Sequence, residues 1–171
     1  MLALGLDPGL AITGYGLVRE TSGGELVLVA YGAITTPAGD PLPQRLLAIA
    51  DELDGLLAEY EPDVVAIEEL FFCRNVTTAL IVGQARGVAM LTVARHGLPL
   101  FEYKPMAVKQ AVSGYGNASK AQVQEMVRLI LHLDEVPQPD DAADGVAVAI
   151  CHLHSARLQG IVDEQITNPF S

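Results

Sequence analysis

The sequence predicts an α/β domain built on a mixed five-stranded sheet flanked by helices. Three observations predict it. Short apolar runs stop abruptly at acids or turn residues, as in Leu6-Asp7-Pro8-Gly9 and Ile67-Glu68-Glu69. Two alternating segments near 14–20 and 25–34 flank a tight Ser22-Gly23-Gly24 turn. Beyond residue 40, stretches with apolar residues three and four apart alternate with short apolar runs.

Taken in order, residues 2–6 form a buried strand, and the two alternating segments continue it as an antiparallel start. Pro41 and Pro43 open a helix whose stripe is Leu46, Leu47, Ala50, Leu53, Leu56 and Leu57. Pro62 ends it, and residues 64–68 are the fourth strand. A largely apolar helix covers roughly 75–95 and stops at His96-Gly97. A fifth strand at 98–103 precedes helices near 104–112, 119–132 and 141–157. The domain is expected over 1–158, with a weakly patterned, loose tail at 159–171.

A chain of 171 residues, 50% of them hydrophobic, suits one domain with a sizeable core. It opens directly on a strand, without the basic and apolar stretches of a signal peptide. The apolar run 79–94 is broken by Gln84 and Arg86 and is too short for a bilayer. Cys73 and Cys151 show no zinc-site spacing; the sequence leaves a disulfide between them open, but two buried thiols suit a cytosolic chain better. A soluble, cytoplasmic domain with no membrane partner is expected.

The candidate chemistry lies in the acids. Asp7 ends the first strand and Glu68 the fourth, while Asp141 and Asp144 share one face at the start of the last helix. A buried carboxylate without a partner is costly, so such a set suits divalent cations. Acids at a helix N-terminus are also stabilised by the helix dipole, which accounts for Asp140 and Asp141 but poorly for Asp144. Spacing alone does not choose between Asp140 and Asp141 as the partner of Asp144. Strand alternation sends Glu69 away from Glu68, toward solvent.

Net charge is −11, which by itself argues against a polyanion as partner. Its distribution argues otherwise. Residues 71–130 carry Arg74, Arg86, Arg95, Lys104, Lys109, Lys120 and Arg128 against only Glu102 and Glu125. A local positive surface of this kind can grip phosphates, although a merely solvated basic face would look the same. Ser119 and Gln122 form a capping box, which puts Lys120 in a first helical turn beside free N–H groups, a setting that suits a phosphate. Phe71 and Phe72 follow the Glu68 strand, where adjacent side chains on an extended loop do not both point inward.

The ordered motifs carry a specific resemblance. Gly5-Leu6-Asp7-Pro8-Gly9 with Thr13-Gly14-Tyr15-Gly16, then Ala66-Ile67-Glu68-Glu69-Leu70-Phe71, is similar to the RuvC family of Holliday junction resolvases. Gly83-Gln84-Ala85-Arg86-Gly87-Val88, Phe101-Glu102-Tyr103, Val108-Lys109-Gln110 and Asp141-Ala142-Ala143-Asp144 resemble the same family in the same order. The resemblance spans residues 2 to about 154 and implies a ribonuclease-H-like fold. It implies that Asp7, Glu68, Asp141 and Asp144 bind two Mg²⁺ or Mn²⁺ ions, with Asp141 rather than Asp140 in the site. Lys109 and Lys120 match the family's active-site lysines, and Phe71 matches its junction-stacking aromatic. Phe72, Arg74 and Lys104 are expected to join them in nucleic-acid binding.

The activity implied by this resemblance is that of a metal-dependent endonuclease acting on four-way DNA junctions. Paired nicks imply a homodimer, for which the helix through Gly83, Arg86, Gly87 and Met90 offers a surface, although tight packing of that helix on the chain's own sheet accounts for its small residues at least as well; a partnership with the RuvAB branch-migration complex is implied too. An actin-like ATPase fold also opens on Asp-x-Gly, but the chain shows no second phosphate loop. A non-catalytic junction-binding module would have no use for four converging carboxylates.

Overall fold

In the computed structural model the backbone is described for residues 1–70 and 76–167, and side chains for 1–70 and 76–159. The elements are β1 (Leu2–Asp7), β2 (Ile12–Glu20), β3 (Leu26–Thr35), α1 (Leu42–Tyr60), β4 (Val64–Glu68) and α2 (Val76–Arg95), then β5 (Leu100–Tyr103), α3 (Pro105–Ser113), α4 (Lys120–Ile130) and α5 (Asp140–Thr167). The sheet order is β3-β2-β1-β4-β5. Strands β1, β2 and β3 pair antiparallel, whereas β1, β4 and β5 run parallel. The mixed five-stranded sheet expected from the sequence is therefore present.

The two faces of the inner strands differ in side-chain size, and that difference places the site. Leu2, Leu4 and Leu6 of β1 join Val65 and Ile67 of β4 in a core with Ile49, Leu53 and Leu57 of α1 and Ala85, Ala89 and Val93 of α2. Each such leucine contributes roughly 1.5–3 kcal/mol by leaving water. The opposite face shows Ala3, Val64 and Ala66 to α3, α4 and α5. By the same alternation Asp7 and Glu68 point to that second face.

Small residues let α5 lie almost on the sheet. A Cβ at Gly145 would sit 2.6 Å from the Cα of Tyr15, and one at Gly14 would collide with the carbonyl of Asp141. Gly5 and Gly16 stand under neighbouring turns of the helix in the same way. Backbone thus packs on backbone, and the first turns of α5 are held over the ends of β1 and β2.

Several details depart from the sequence reading. Strand β5 begins at Leu100 rather than 98, because Pro99 has no N–H to donate and enters the ladder only as acceptor from Val65, at 2.9 Å. In α1 the exposed Leu47 leaves the apolar stripe and the buried Ile49 takes its place. Helix α5 continues to Thr167, past the predicted end near 157 and into the segment expected to be a loose tail. Helix α2, at 20 residues, reaches the length and hydropathy of a bilayer span, which corrects the inference drawn from 79–94. Its Ala85, Ala89, Thr92 and Val93 are buried inside the domain. Cys151 is a free, buried thiol, and Cys73 lies outside the described residues.

Candidate active site

Parallel pairing of β1 with β4 runs to Leu6 opposite Ile67, so the next residues, Asp7 and Glu68, finish side by side. Carboxyl ends of adjacent parallel strands form a natural crevice. Helix α5 crosses this end and contributes Asp141 and Asp144. Oxygens of Asp7, Asp141 and Asp144 lie within 4.8 Å of one another. Glu68 joins the group through a side-chain hydrogen bond with Asp7. A cavity of about 230 Å³ opens between them, lined by Asp7, Glu68, Lys109, Lys120 and Asp144 with Pro105, Val108, Val123 and Ala147.

The electrostatics are those of crowded acids. Burial first, then the charge of Asp7 and the hydrogen bond to it, push the Glu68 carboxyl up to about 8, against a smaller opposing effect of Lys109. Burial also raises Asp7, helped by Asp144 and Asp141 and opposed by the bond from Glu68. Two such carboxyls hold a proton between them when nothing else neutralises the pair. Asp144 is raised by burial too, while Lys120 works against the shift. An all-oxygen, anionic donor set of this kind fits a hard divalent cation.

The basic side chains reach the cleft from two helices. Lys109 comes from α3 and Lys120 from the first turn of α4. The expected capping box is formed: the Ser119 N–H donates to Gln122 Oε1 at 2.8 Å, and the Gln122 N–H to Ser119 Oγ at 3.3 Å. Lys120 Nζ stands 2.8 Å from Asp144 Oδ2 and 3.9 Å from Asp140 Oδ2, so its charge already has acidic partners. Lys104 is exposed at the N-cap of α3, outside the cavity lining.

The two acids at the start of α5 are placed differently. Asp141 belongs to the close group with Asp7 and Asp144, whereas Asp140 is exposed and faces Lys120. Glu69, expected to face solvent, is half-buried and borders a second cavity of about 200 Å³ beside Glu68. Phe71, Phe72 and Arg74 lie outside the described residues. Arg86, on a helix face that the sequence left open between a subunit surface and packing on the chain's own sheet, turns inward, bonded to the Glu68 carbonyl and to Glu102. The only sequence signal for that pairing is a lone arginine inside an apolar helix.

A mixed sheet with acids at adjacent strand ends, crossed by a helix that adds two more, defines a nuclease of the ribonuclease-H-like class. The family model described as crossover junction endodeoxyribonuclease RuvC matches residues 3–152, and the chain belongs to that family. It is 60% identical over 156 residues to crossover junction endodeoxyribonuclease RuvC of Chloroflexus aggregans, covering 91% of this chain and 94% of that one. Among solved structures, Thermus thermophilus RuvC superposes with a TM-score of 0.86 at 36% identity, covering 93% of this chain and 97% of that one. The T. thermophilus RuvC in complex with Holliday junction substrate gives 0.85 at 34% identity, over 92% and 96% of the two chains. The family and fold expected from the motifs are those found.

Proposed function

We propose that this chain is a structure-specific endonuclease that resolves four-way (Holliday) DNA junctions in recombination and repair. It does so by paired symmetric nicks that leave 5′-phosphate and 3′-hydroxyl ends. The observation that carries this is the meeting of Asp7, Glu68, Asp144, Lys109 and Lys120 around one open cleft, with Asp141 beside Asp7 and Asp144.

Asp7, Asp141 and Asp144 would hold one divalent cation, and Glu68 with Asp7 a second, Mg²⁺ or Mn²⁺ being the fitting ions. Bound there, such ions supply an activated water for in-line attack and neutralise charge on the departing 3′ oxygen. The protein's own contribution is to aim the carboxylates, which the rigid strand ends and the closely packed α5 do. Lys109 and Lys120 line the same cleft and counter charge growing on the scissile phosphate.

Phe71, Phe72 and Arg74 follow the Glu68 strand in sequence and, with the exposed Lys104, form the rest of the junction contact. Stacking on Phe71 is worth roughly 1–3 kcal/mol per base. The enzyme acts as a homodimer. Val76, Leu80 and Leu91 of α2 are 70%, 65% and 54% exposed, and a Cβ at Gly87 would meet open space. An apolar stripe with a small residue in its middle allows close approach of a second α2. This replaces the expected surface in part, because Arg86 faces inward. The cytoplasm is its place of work, beside the RuvAB branch-migration complex.

The test is incision of a synthetic four-way junction with and without Mg²⁺. Paired nicks on opposing strands, dependent on the ion, are expected, with affinity falling steeply as salt rises despite the net charge of −11. Tight, salt-independent binding with no incision at any Mg²⁺ or Mn²⁺ concentration would overturn the reading.

A further inference from the structure

Arg86 lies across the sheet from the carboxylate cleft. It projects from α2, on the face that carries Leu4 and Ile67, whereas Asp7 and Glu68 point to the α5 face. Its Nε donates to the backbone carbonyl of Glu68 at 3.2 Å. Its Nη2 pairs with Glu102 of β5, and Nη1 lies 3.3 Å from the sulfur of Met90. The side chain is only 15% exposed. A guanidinium so withdrawn from water needs partners for its fork of donors, and these contacts give each of its three nitrogens one.

The bonded carbonyl is a revealing one. The β1–β4 ladder has its last pair at Leu6 and Ile67, so the peptide of Glu68 lies beyond it. On the β5 side the following N–H, of Glu69, donates to Tyr103 at 2.8 Å. Arg86 therefore takes up the carbonyl of the residue whose side chain must be aimed at Asp7. Rotation of that peptide would swing the Glu68 side chain, and a small misplacement of a reacting group is costly.

We propose that Arg86 is a positioning residue for the cleft: held by Glu102, it fixes the terminal peptide of β4 and so aims the Glu68 carboxylate at Asp7. This rests on the reading of Glu68 as a metal-holding acid. Because Arg86 stands on the same helix as the exposed Val76, Leu80 and Leu91, it also ties the proposed subunit seam to the cleft through one side chain.

Arg86→Gln, Arg86→Lys and Glu102→Gln test this in the full-length protein. The measurements are Mn²⁺ affinity by calorimetry without DNA, junction affinity in chelator, nicking rate at saturating junction, and sedimentation. In Arg86→Gln, Mn²⁺ affinity and nicking rate should each fall by roughly tenfold or more, as when an outer partner of a metal ligand is lost. Junction affinity and dimer formation should stay within about threefold, since no phosphate contact is removed. Arg86→Lys should recover little, a point charge being unable to hold carbonyl and carboxylate together. Glu102→Gln keeps the bond to Glu68 and should cost less than Arg86→Gln in both quantities. A folded, dimeric Arg86→Gln with wild-type Mn²⁺ affinity and nicking overturns the proposal. If Arg86→Gln does not fold, unchanged Mn²⁺ affinity and nicking in Glu102→Gln overturn it. Failure of the underlying functional reading looks different: the wild-type protein itself would not nick.

Discussion

Lys120 Nζ sits 2.8 Å from Asp144 Oδ2, so the first residue of α4 neutralises an acid of α5 across the cleft. The pair is partly buried on the Asp144 side, at 27% exposure, and opposes the upward shift that burial imposes on that carboxyl. Lys120→Met should therefore move the Asp144 carboxyl further up in metal-free protein, as read by carbon NMR across a pH series. It should also slow nicking by roughly a hundredfold, the usual effect of removing one donor to developing negative charge. An unmoved Asp144 titration with a normal rate would show that the contact serves neither purpose.

The proton between Asp7 and Glu68 makes stability depend on pH with a defined sign. Glu68 is raised to about 8, so the folded protein binds that proton more tightly than the unfolded chain does. Its contribution is complete below the ordinary glutamate value of 4.5 and is lost as pH rises through about 8. The raised Asp7 acts in the same direction. Metal-free protein should melt at progressively lower temperature from about pH 5 to about pH 9, and Glu68→Gln should flatten the trend. Saturating Mg²⁺ should raise the melting temperature most at the alkaline end, where the ion no longer competes with protons. A melting temperature that rises with pH in chelator would contradict the shared proton.

Close packing of α5 predicts opposite outcomes for two glycine substitutions. In Gly145→Ala the new Cβ meets Tyr15 backbone at 2.6 Å, which no rotamer change relieves. Overpacking of this kind costs about 1–3 kcal/mol. Asp144 is the adjacent residue, so the helix shift should also reduce nicking at temperatures where the protein stays folded. Gly55→Ala in α1 adds a Cβ with nothing within 4 Å and should stabilise by roughly 0.5–1 kcal/mol. Urea unfolding of both variants, with nicking assays at low temperature, checks the pair.

The features legible in the sequence were local ones. Asp7 and Glu68 stood out only together with the acids of α5, because a single strand-end acid serves equally well to cap a turn, and Ser119 with Gln122 marked the start of α4 by hydrogen-bond chemistry confined to four residues. Order of elements came from alternation and helical spacing in the same way. Asp140 and Asp141 were not separable, because one helix face serves both; only the docking of α5 on Gly14 and Tyr15 turns Asp141 toward Asp7. Arg86 was left between two placements for a similar reason. Its partners, Glu68 and Glu102, lie 18 and 16 residues away on two other elements, and no periodicity links them. The length of α5 also escaped, since its hydrophobic residues are spread around the helix where it is buried.

The separation of Asp140 from the acidic cluster gives the sharpest single-site prediction. Asp7, Asp141 and Asp144 bring their oxygens within 4.8 Å of one another, while Asp140 is exposed and stands 3.9 Å from Lys120. Asp7→Asn, Asp141→Asn and Asp144→Asn each remove a ligand charge with almost no change of shape. Each should abolish nicking and leave junction binding intact or slightly tighter, because the phosphate then meets less negative charge. Asp140→Asn should keep most of the activity, since what it loses is a weak surface contact worth at most about 1 kcal/mol. Nicking and junction binding measured side by side on the four variants decide the matter: a silent Asp141→Asn with a dead Asp140→Asn would exchange the two residues, and undiminished nicking in Asp7→Asn would remove the acid at the centre of the site.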